Sequence, residues 1–233
     1  MQLPVFYEPE LPKELTTFTL SEDSSKHCIQ VLRMKVNEHF HITDGAGNLL
    51  TVEIIAPHKK NCVVKIINRH FYPRTTKEIC VAITPTKNNS RMEWLLEKLT
   101  EIGVQKIILM QSEHSERHTI KYERLHNILV SAMLQSQQLY LPELSELTDF
   151  KQVVFNENFQ EKYIAHCAND EKKTILPINK NNLSKIILIG PEGDFSANEI
   201  ALSKVQKYTP VSLGETRLRT ETAGLVAAVL LIH

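Results

Sequence analysis

Two periodicities divide the chain. Up to about residue 70, apolar and polar residues come in short runs of strand character. Residues 16–20, 39–43, 49–56 and 61–68 read as strands, the second and third with clear alternation. Asp44-Gly45-Ala46-Gly47-Asn48 between two of them carries the Asp-Gly chemistry of a tight hairpin. Ser21 is placed to cap a helical turn that runs through Ser25 and His27. Several short strands with tight turns predict a small β-barrel or sandwich. Residues 71–77, with Pro73 and a polar run, break this pattern and read as a linker.

Beyond the linker the period changes. Residues 79–84 form a nearly continuous apolar run, as expected of a strand buried on both faces. Ser90 and Glu93 stand in capping-box spacing before a helix with Met92, Leu95, Leu96, Leu99 and Ile102 on one side. Gly103 stands just past its end. A strand at 106–110, a helix at 121–138 and strands at 163–167 and 185–189 follow. The second helix carries Leu125, Ile128, Leu129, Met133 and Leu134 on its apolar side. Ser196 and Glu199 form a second capping box, opening a helix to residue 205. Residues 210–213 read as a strand. Residues 225–232 are apolar on all sides, which predicts a buried helix with Thr220 or Thr222 as its N-cap. Alternating strands and helices predict an α/β domain with a mostly parallel sheet. The expected division is a β module over 1–72 and an α/β domain over 73–233.

Composition narrows the function. Lys plus Arg and Asp plus Glu both number 27, a formal net charge of zero. That excludes a wholly basic nucleic-acid coat and an acidic disordered tail, while leaving room for a local basic patch. A hydrophobic fraction of 42% supports a proper core. No apolar run is long enough for a membrane span, and residues 1–11 show no signal-peptide pattern. The four cysteines stand apart without a CxxC, which suits free thiols in a reducing cytosol. His114 and His118 share a helical spacing but have no evident third ligand, so no metal site is expected. Only seven glycines occur, and four of them, Gly190, Gly193, Gly214 and Gly224, fall near the C-terminal end. Scarce glycines tend to mark places where a Cβ does not fit.

Those glycines frame the candidate site. The strand ending at Ile189 runs into Gly190-Pro191-Glu192-Gly193-Asp194 and then into the capped helix. Ligands of open α/β sheets bind at such strand ends. Neither a dinucleotide fingerprint nor a P-loop is present. Glu192 and Asp194 disfavour a phosphate, so a neutral or cationic ligand fits better. An ordinary tight turn has the same spacing. A second unit follows: Leu213-Gly214, then Arg217, Leu218, Arg219, Thr220 and Glu221 before the apolar helix. These charges form either a structural ion pair at the helix start or a site where Arg219 meets negative charge.

The residues between the glycines resemble the RsmE family of the SPOUT superfamily, bacterial 16S rRNA uridine N3-methyltransferases. Gly190-Pro191-Glu192-Gly193, Val211-Ser212-Leu213-Gly214 and Leu218-Arg219-Thr220-Glu221-Thr222-Ala223 carry the match. Arg91-Met92-Glu93-Trp94, Thr100-Glu101-Ile102-Gly103-Val104 and Ser112-Glu113-His114-Ser115 extend it upstream, as do His27, Val31–Val36 and the Asp44–Gly47 turn in the β module. The resemblance implies a C-terminal trefoil-knotted α/β domain behind a PUA-like β-barrel, and a homodimer in the cytoplasm. It implies S-adenosylmethionine as cofactor, held by Ile189, Gly190, Pro191, Glu192, Gly193, Leu213, Gly214, Leu218 and Thr220. The substrate would be a uridine near the decoding region of 16S rRNA; the zero net charge adds the expectation that it is reached in the assembled 30S subunit. Arg219 is then expected to steady the charge on the uracil, with Glu221 as proton acceptor or as the residue that orients Arg219. Arg33, Lys35, Arg74, Lys87 and Arg91 are candidate phosphate contacts.

The sequence also departs from the family. Asp194 stands where a further glycine is usual, His114 replaces an arginine, and Arg217 is displaced by one position. Leu134-Gln135-Ser136-Gln137-Gln138 lacks the arginine of the corresponding family segment. Two alternatives stay open: a non-catalytic RNA-binding protein, and a methyltransferase acting on tRNA.

Overall fold

The computed structural model describes residues 3–74, 78–168, 171–174 and 183–232. The chain divides into two compact units. One comprises residues up to Thr75 together with Met133–Leu141; the other comprises Thr76–Ala132 and Pro142–His233.

The first unit is built on β1 (Val5–Tyr7), β2 (Thr17–Thr19), β3 (His39–Thr43), β4 (Asn48–Ala56) and β5 (Val63–Phe71). They form one sheet in the order β1-β3-β4-β5-β2, antiparallel except for the β1–β3 pair. The alternation has its expected consequence. Phe40 and Ile42 of β3 lie opposite Val52 and Leu50 of β4, and all four are buried. Phe6 meets Phe40 edge-on, with ring centroids 4.9 Å apart. The two edge strands are tied through a side chain. Glu8, just past β1, accepts hydrogen bonds from the Ser21 N–H (3.1 Å) and hydroxyl (2.9 Å), just past β2.

Ser21 also accepts from the Ser24 N–H and so caps the short helix α1 (Glu22–Lys26), as expected; a π-helical turn, His27–Val31, follows. The β3–β4 turn is held by Asp44, whose Oδ1 accepts from the Ala46 N–H (2.8 Å) and the Asn48 N–H (3.2 Å). Met133–Leu141 completes the unit at this turn. The Gly47 N–H donates to the Leu139 carbonyl (2.9 Å), and the Leu141 N–H donates to the Gly45 carbonyl (2.8 Å).

In the second unit β6 (Ile79–Ile83), β7 (Lys106–Gln111), β8 (Glu143–Leu144), β9 (Thr148–Asp149), β10 (Glu161–Ala165), β11 (Lys173–Thr174), β12 (Lys185–Ile189) and β13 (Thr209–Ser212) form a parallel sheet. Its order is β11-β13-β10-β12-β6-β7-β8, with β9 also paired to β7. The helices are α2 (Asn89–Glu101), α3 (Tyr122–Gln135), α4 (Phe150–Asn156), α5 (Ala197–Val205) and α6 (Thr220–Ile232). Every residue of β6 and β12 is buried, which explains the unbroken apolar sequence of β6 and of β12 after Lys185. Cys80, Ala82, Ile186 and Leu188 belong to a core cluster that includes Phe150, Val154, Phe195 and Ile200 from α4, α5 and their approaches. Lys185, only 3% exposed, begins β12 in an ion pair with Glu161 of β10, at 3.5 Å.

Several helix ends differ from expectation. α2 is capped by Asn88, whose Oδ1 accepts from the Ser90 N–H at 2.9 Å. Ser90 therefore lies inside the helix, and the Ser90–Glu93 box does not form; Glu93 pairs with Arg124 instead, at 2.7 Å. The asparagine starts the helix two residues earlier and caps the N–H of Ser90 itself. The Ser196–Glu199 box forms in full. In α6 neither Thr220 nor Thr222 is the cap. Thr220 is the first helical residue, and its hydroxyl donates to the Gly190 carbonyl (3.2 Å). The Arg219 carbonyl accepts the Ala223 N–H at 2.7 Å, which puts Arg219 in the cap position. Nor is α6 buried all round: Gly224, Ala227, Ala228 and Leu231 are buried, while Val229 is 39% exposed. A Cβ at Gly224 would stand 3.0 Å from Ile83 and 3.1 Å from Leu95, so the glycine sets how closely α6 seats on β6 and α2.

Gly47 has φ +94°, and a Cβ there would overlap the Tyr140 hydroxyl and the Tyr72 carbonyl. Gly47→Ala should therefore destabilise the first unit by about 2 kcal/mol or more. Urea denaturation followed through the β-module signal checks this; an unchanged midpoint contradicts it.

Candidate active site at the ends of three parallel strands

β10, β12 and β13 are neighbours and run the same way, so their C-terminal ends open on one side of the sheet. A cleft of about 580 Å³ lies there. Ile189, Gly190, Pro191 and Glu192 reach it from the end of β12, and Leu213 and Gly214 from the end of β13. Leu218, Arg219 and Thr220 close it from the start of α6. The structure thus gathers almost all the expected cofactor residues, with Arg219, in one place.

Two expected residues stand outside the lining. Gly193 turns away, and a Cβ there would meet His114 in ordinary contact at 3.4 Å. Glu221 is buried on α6, its side chain 10% exposed, and faces Arg91 of α2. The pairing distance, Glu221 Oε1 to Arg91 Nε, is 3.5 Å. The expected alternative of an ion pair between Arg219 and Glu221 does not form. Glu221 spends its charge on Arg91, which was expected to meet phosphate, and its Oε2 has no hydrogen-bond partner among the described residues.

The glycines differ in their reasons. At Gly190 a Cβ would press on the Phe195 ring at 3.1 Å, so this glycine serves packing rather than ligand approach. At Gly214, φ is +142° and a Cβ would meet nothing within 4 Å. Its backbone is bare to the cleft, in a turn held by the Ser212 hydroxyl, which donates to the Gly214 carbonyl at 3.0 Å.

Sequence reasoning missed the contribution of β10. His166, Cys167 and Lys172 also line the cleft, beside Asp194 of the expected turn after β12. β10 ends at Ala165, two residues earlier than expected, which frees His166 and Cys167 as site residues. The available signal was that this strand, too, ends on the ligand side of a parallel sheet. Arg217 reaches across, its Nη2 donating to the Glu192 carbonyl at 3.3 Å, so it links the two C-terminal loops. The rim therefore carries both signs: Glu192 and Asp194 against Lys172, Arg217 and Arg219, beside apolar Ile189, Val211, Leu213 and Leu218. Arg219 itself is exposed and has no side-chain partner among the described residues.

The other cation candidates have different fates. Lys87 pairs with Glu116 at 2.8 Å, and that hydrogen bond and charge hold its ammonium above the ordinary lysine value. Arg33 and Lys35 are exposed in the first unit, Arg33 with φ +54°. Arg74 places its guanidinium 4.5 Å from the centre of the Tyr140 ring. Among the described residues, no group of three histidine, cysteine or carboxylate side chains is arranged to hold a metal. No helix among them is long and apolar enough to cross a membrane.

Residues 73–232 match the family model of an RNA methyltransferase domain, and residues 20–67 match that of an RNA methyltransferase PUA domain. The chain is 28% identical over 218 residues to ribosomal RNA small subunit methyltransferase E of Rickettsia conorii, covering 92% of this chain and 88% of that one. A probable rRNA-methyltransferase of Porphyromonas gingivalis superposes with a TM-score of 0.89 at 38% identity, covering 98% and 97% of the two chains. A ribosomal RNA small subunit methyltransferase E of Neisseria gonorrhoeae, solved bound to S-adenosyl methionine, gives 0.86 at 25% identity, covering 99% and 97%.

The Arg91–Glu221 pair makes its own prediction. Arg91→Ala leaves a buried carboxylate without its cation and should lower stability by roughly 1–3 kcal/mol, less than for a fully buried pair because Arg91 is partly exposed. Adding Glu221→Gln should recover part of that loss. A thermal or urea double-mutant cycle measures it, and strictly additive costs would refute the coupling.

Proposed function

The chain belongs to the RsmE-type RNA methyltransferase family, and on that premise we propose that it transfers a methyl group from S-adenosylmethionine to N3 of a uridine in 16S rRNA. The observation that carries this reading is Arg219: an exposed guanidinium on the wall of the cleft, without a side-chain partner among the described residues, at the N-cap of α6. The cleft fits the cofactor. Its rim sets the Glu192 carboxylate against Lys172 and Arg217, both signs that a zwitterionic sulfonium ligand needs, and the bare backbone at Gly214 leaves room for close approach. Ile189–Glu192, Leu213, Gly214, Leu218 and Thr220 would hold it, with His166 and Cys167 on the β10 side. Bound there, S-adenosylmethionine supplies a methyl group on an electron-poor sulfur.

Uracil N3 becomes nucleophilic only when its proton leaves, here to solvent water at the exposed cleft, and the resulting charge spreads onto the ring oxygens. Arg219 meets that charge. Its backbone is held where α6 begins, by the first hydrogen bond of the helix at its carbonyl and by the Thr220 hydroxyl on the next residue. Glu221, buried and off the cleft, takes the positioning role rather than that of proton acceptor: through Arg91 it holds the first turn of α6 against α2. Arg33, Lys35 and Arg74 on the PUA-like unit supply phosphate contacts in this proposal; Lys87 contributes if it exchanges Glu116 for phosphate. Zero net charge gives the chain little long-range attraction for RNA. That favours an assembled 30S particle in the cytoplasm, where binding is local, over naked rRNA. The half-exposed apolar face of α6 supports a homodimer, and a trefoil knot at the two C-terminal loops belongs to the same reading.

Arg219→Ala should reduce methylation by at least ~10²-fold while S-adenosylmethionine still binds in calorimetry. Full activity in the variant removes Arg219 from the mechanism. Wild-type protein that fails to bind millimolar S-adenosylmethionine points to a non-catalytic RNA-binding protein. Nucleoside analysis of 16S rRNA from a strain lacking the gene should show loss of 3-methyluridine; its retention rejects the substrate. Methylation of 30S subunits should outpace that of free 16S rRNA, and the reverse order rejects the assembled particle.

A further inference from the structure

Asp194 joins the walls of the cleft. Its carboxylate Oδ2 accepts the Cys167 N–H at 2.7 Å, just past the end of β10. Its Oδ1 accepts the Phe195 N–H at 2.9 Å, within the turn that follows β12. Its backbone carbonyl lies 2.9 Å from His114 Nδ1, in the loop that follows β7. Three segments that leave the sheet at separate strands thus meet on one residue. Asp194 does this with φ +67°, the left-handed region that residues with side chains rarely adopt. A glycine would take that backbone without cost, so the carboxylate is what the position gains. Both carboxylate oxygens already accept N–H groups. Their geometry is that of a brace between loops and not of a charge held toward a ligand.

We propose that Asp194 is a positioning residue for cofactor binding: it clamps His166–Cys167 onto the turn after β12 and so fixes the width of the cleft between those walls. The neighbouring ties do not duplicate it. Thr220 to Gly190 and Arg217 to Glu192 join the turn after β12 to the α6 side, whereas Asp194 joins it to β10. Without the brace, Cys167 loses its tie to the turn after β12, and the wall that follows β10 is held less closely at the cleft. The cofactor must then order that wall as it binds.

The inference rests on S-adenosylmethionine as the ligand, and the test separates the two. The variants are Asp194→Gly, which relieves the backbone and removes both bonds, and Asp194→Asn, which keeps one acceptor oxygen. Calorimetry is run with S-adenosylmethionine and with S-adenosylhomocysteine, which lacks the sulfonium charge. Hydrogen exchange at the Cys167 amide is measured in the ligand-free proteins. Asp194→Gly should weaken both ligands about tenfold and by the same factor, with Asp194→Asn in between. Its KM for the cofactor should rise to match while kcat changes less than about twofold. The thermal midpoint should hold or rise, since the strained backbone is relieved. Exchange at Cys167 should quicken about tenfold.

Unchanged affinity, or unchanged exchange at Cys167, overturns the brace. A loss confined to S-adenosylmethionine overturns it too, because the carboxylate would then be acting as a charge partner. If the wild-type protein binds neither ligand, the cofactor assignment fails, and the Cys167 exchange alone decides whether the brace exists.

Discussion

The second unit is governed by what its central strands exclude. β12 is paired on both sides by parallel neighbours and covered on both faces, so every side chain along it after Lys185 is committed to the core. β6, beside it, is in the same position. No polar chemistry fits within such strands; it is displaced to their ends. Because β10, β12 and β13 are parallel, their ends of one kind lie together, and three loops far apart in sequence share one cleft. The buried hydrogen bond from Thr220 to Gly190 then fixes α6 to the end of β12.

Charge is distributed sparingly at that cleft. Arg217, on its wall, is engaged with the Glu192 carbonyl, and outside the lining Arg91 pairs with Glu221 and Lys87 with Glu116. Arg219 is left with a guanidinium that has no side-chain partner among the described residues, in contrast to Arg217. A cation without an internal partner is available to stabilise charge that appears only during a reaction. The acidic side of the rim is likewise divided. Asp194 spends its carboxylate on backbone N–H groups, while Glu192 uses its carbonyl and leaves its exposed side chain toward solvent.

The legible parts of the sequence were those where a local rule and the tertiary structure agree. The alternation in β3 and β4, the unbroken apolar run of β6 and the Ser196–Glu199 box each encode their structure within a few residues. The failures occur where distant residues decide. Asn88 displaced Ser90 as the cap of α2 because it starts the helix two residues earlier and takes the Ser90 N–H as its own donor. Thr220 had the chemistry of a cap, yet its hydroxyl was taken by Gly190, thirty positions away. β1 has only three residues and pairs in parallel with β3, so no periodicity announced it. In the cleft, the glycine-rich loops drew attention. His166 and Cys167 carried no motif, and their place follows from where β10 stops. The reason for Gly190 was hidden as well, because it depends on the ring of Phe195.

The return of Met133–Leu141 to the first unit bears on the order in which the chain is made. The turn at Gly45–Gly47 receives its backbone partners from Leu139 and Leu141, about ninety residues downstream. During synthesis the β module therefore emerges with those groups facing water, and it is finished only after α2, β7 and α3 have left the ribosome. A fragment ending at residue 72 would be arrested at that stage. The boundary between the units is real in space, but it does not correspond to a single cut in the chain.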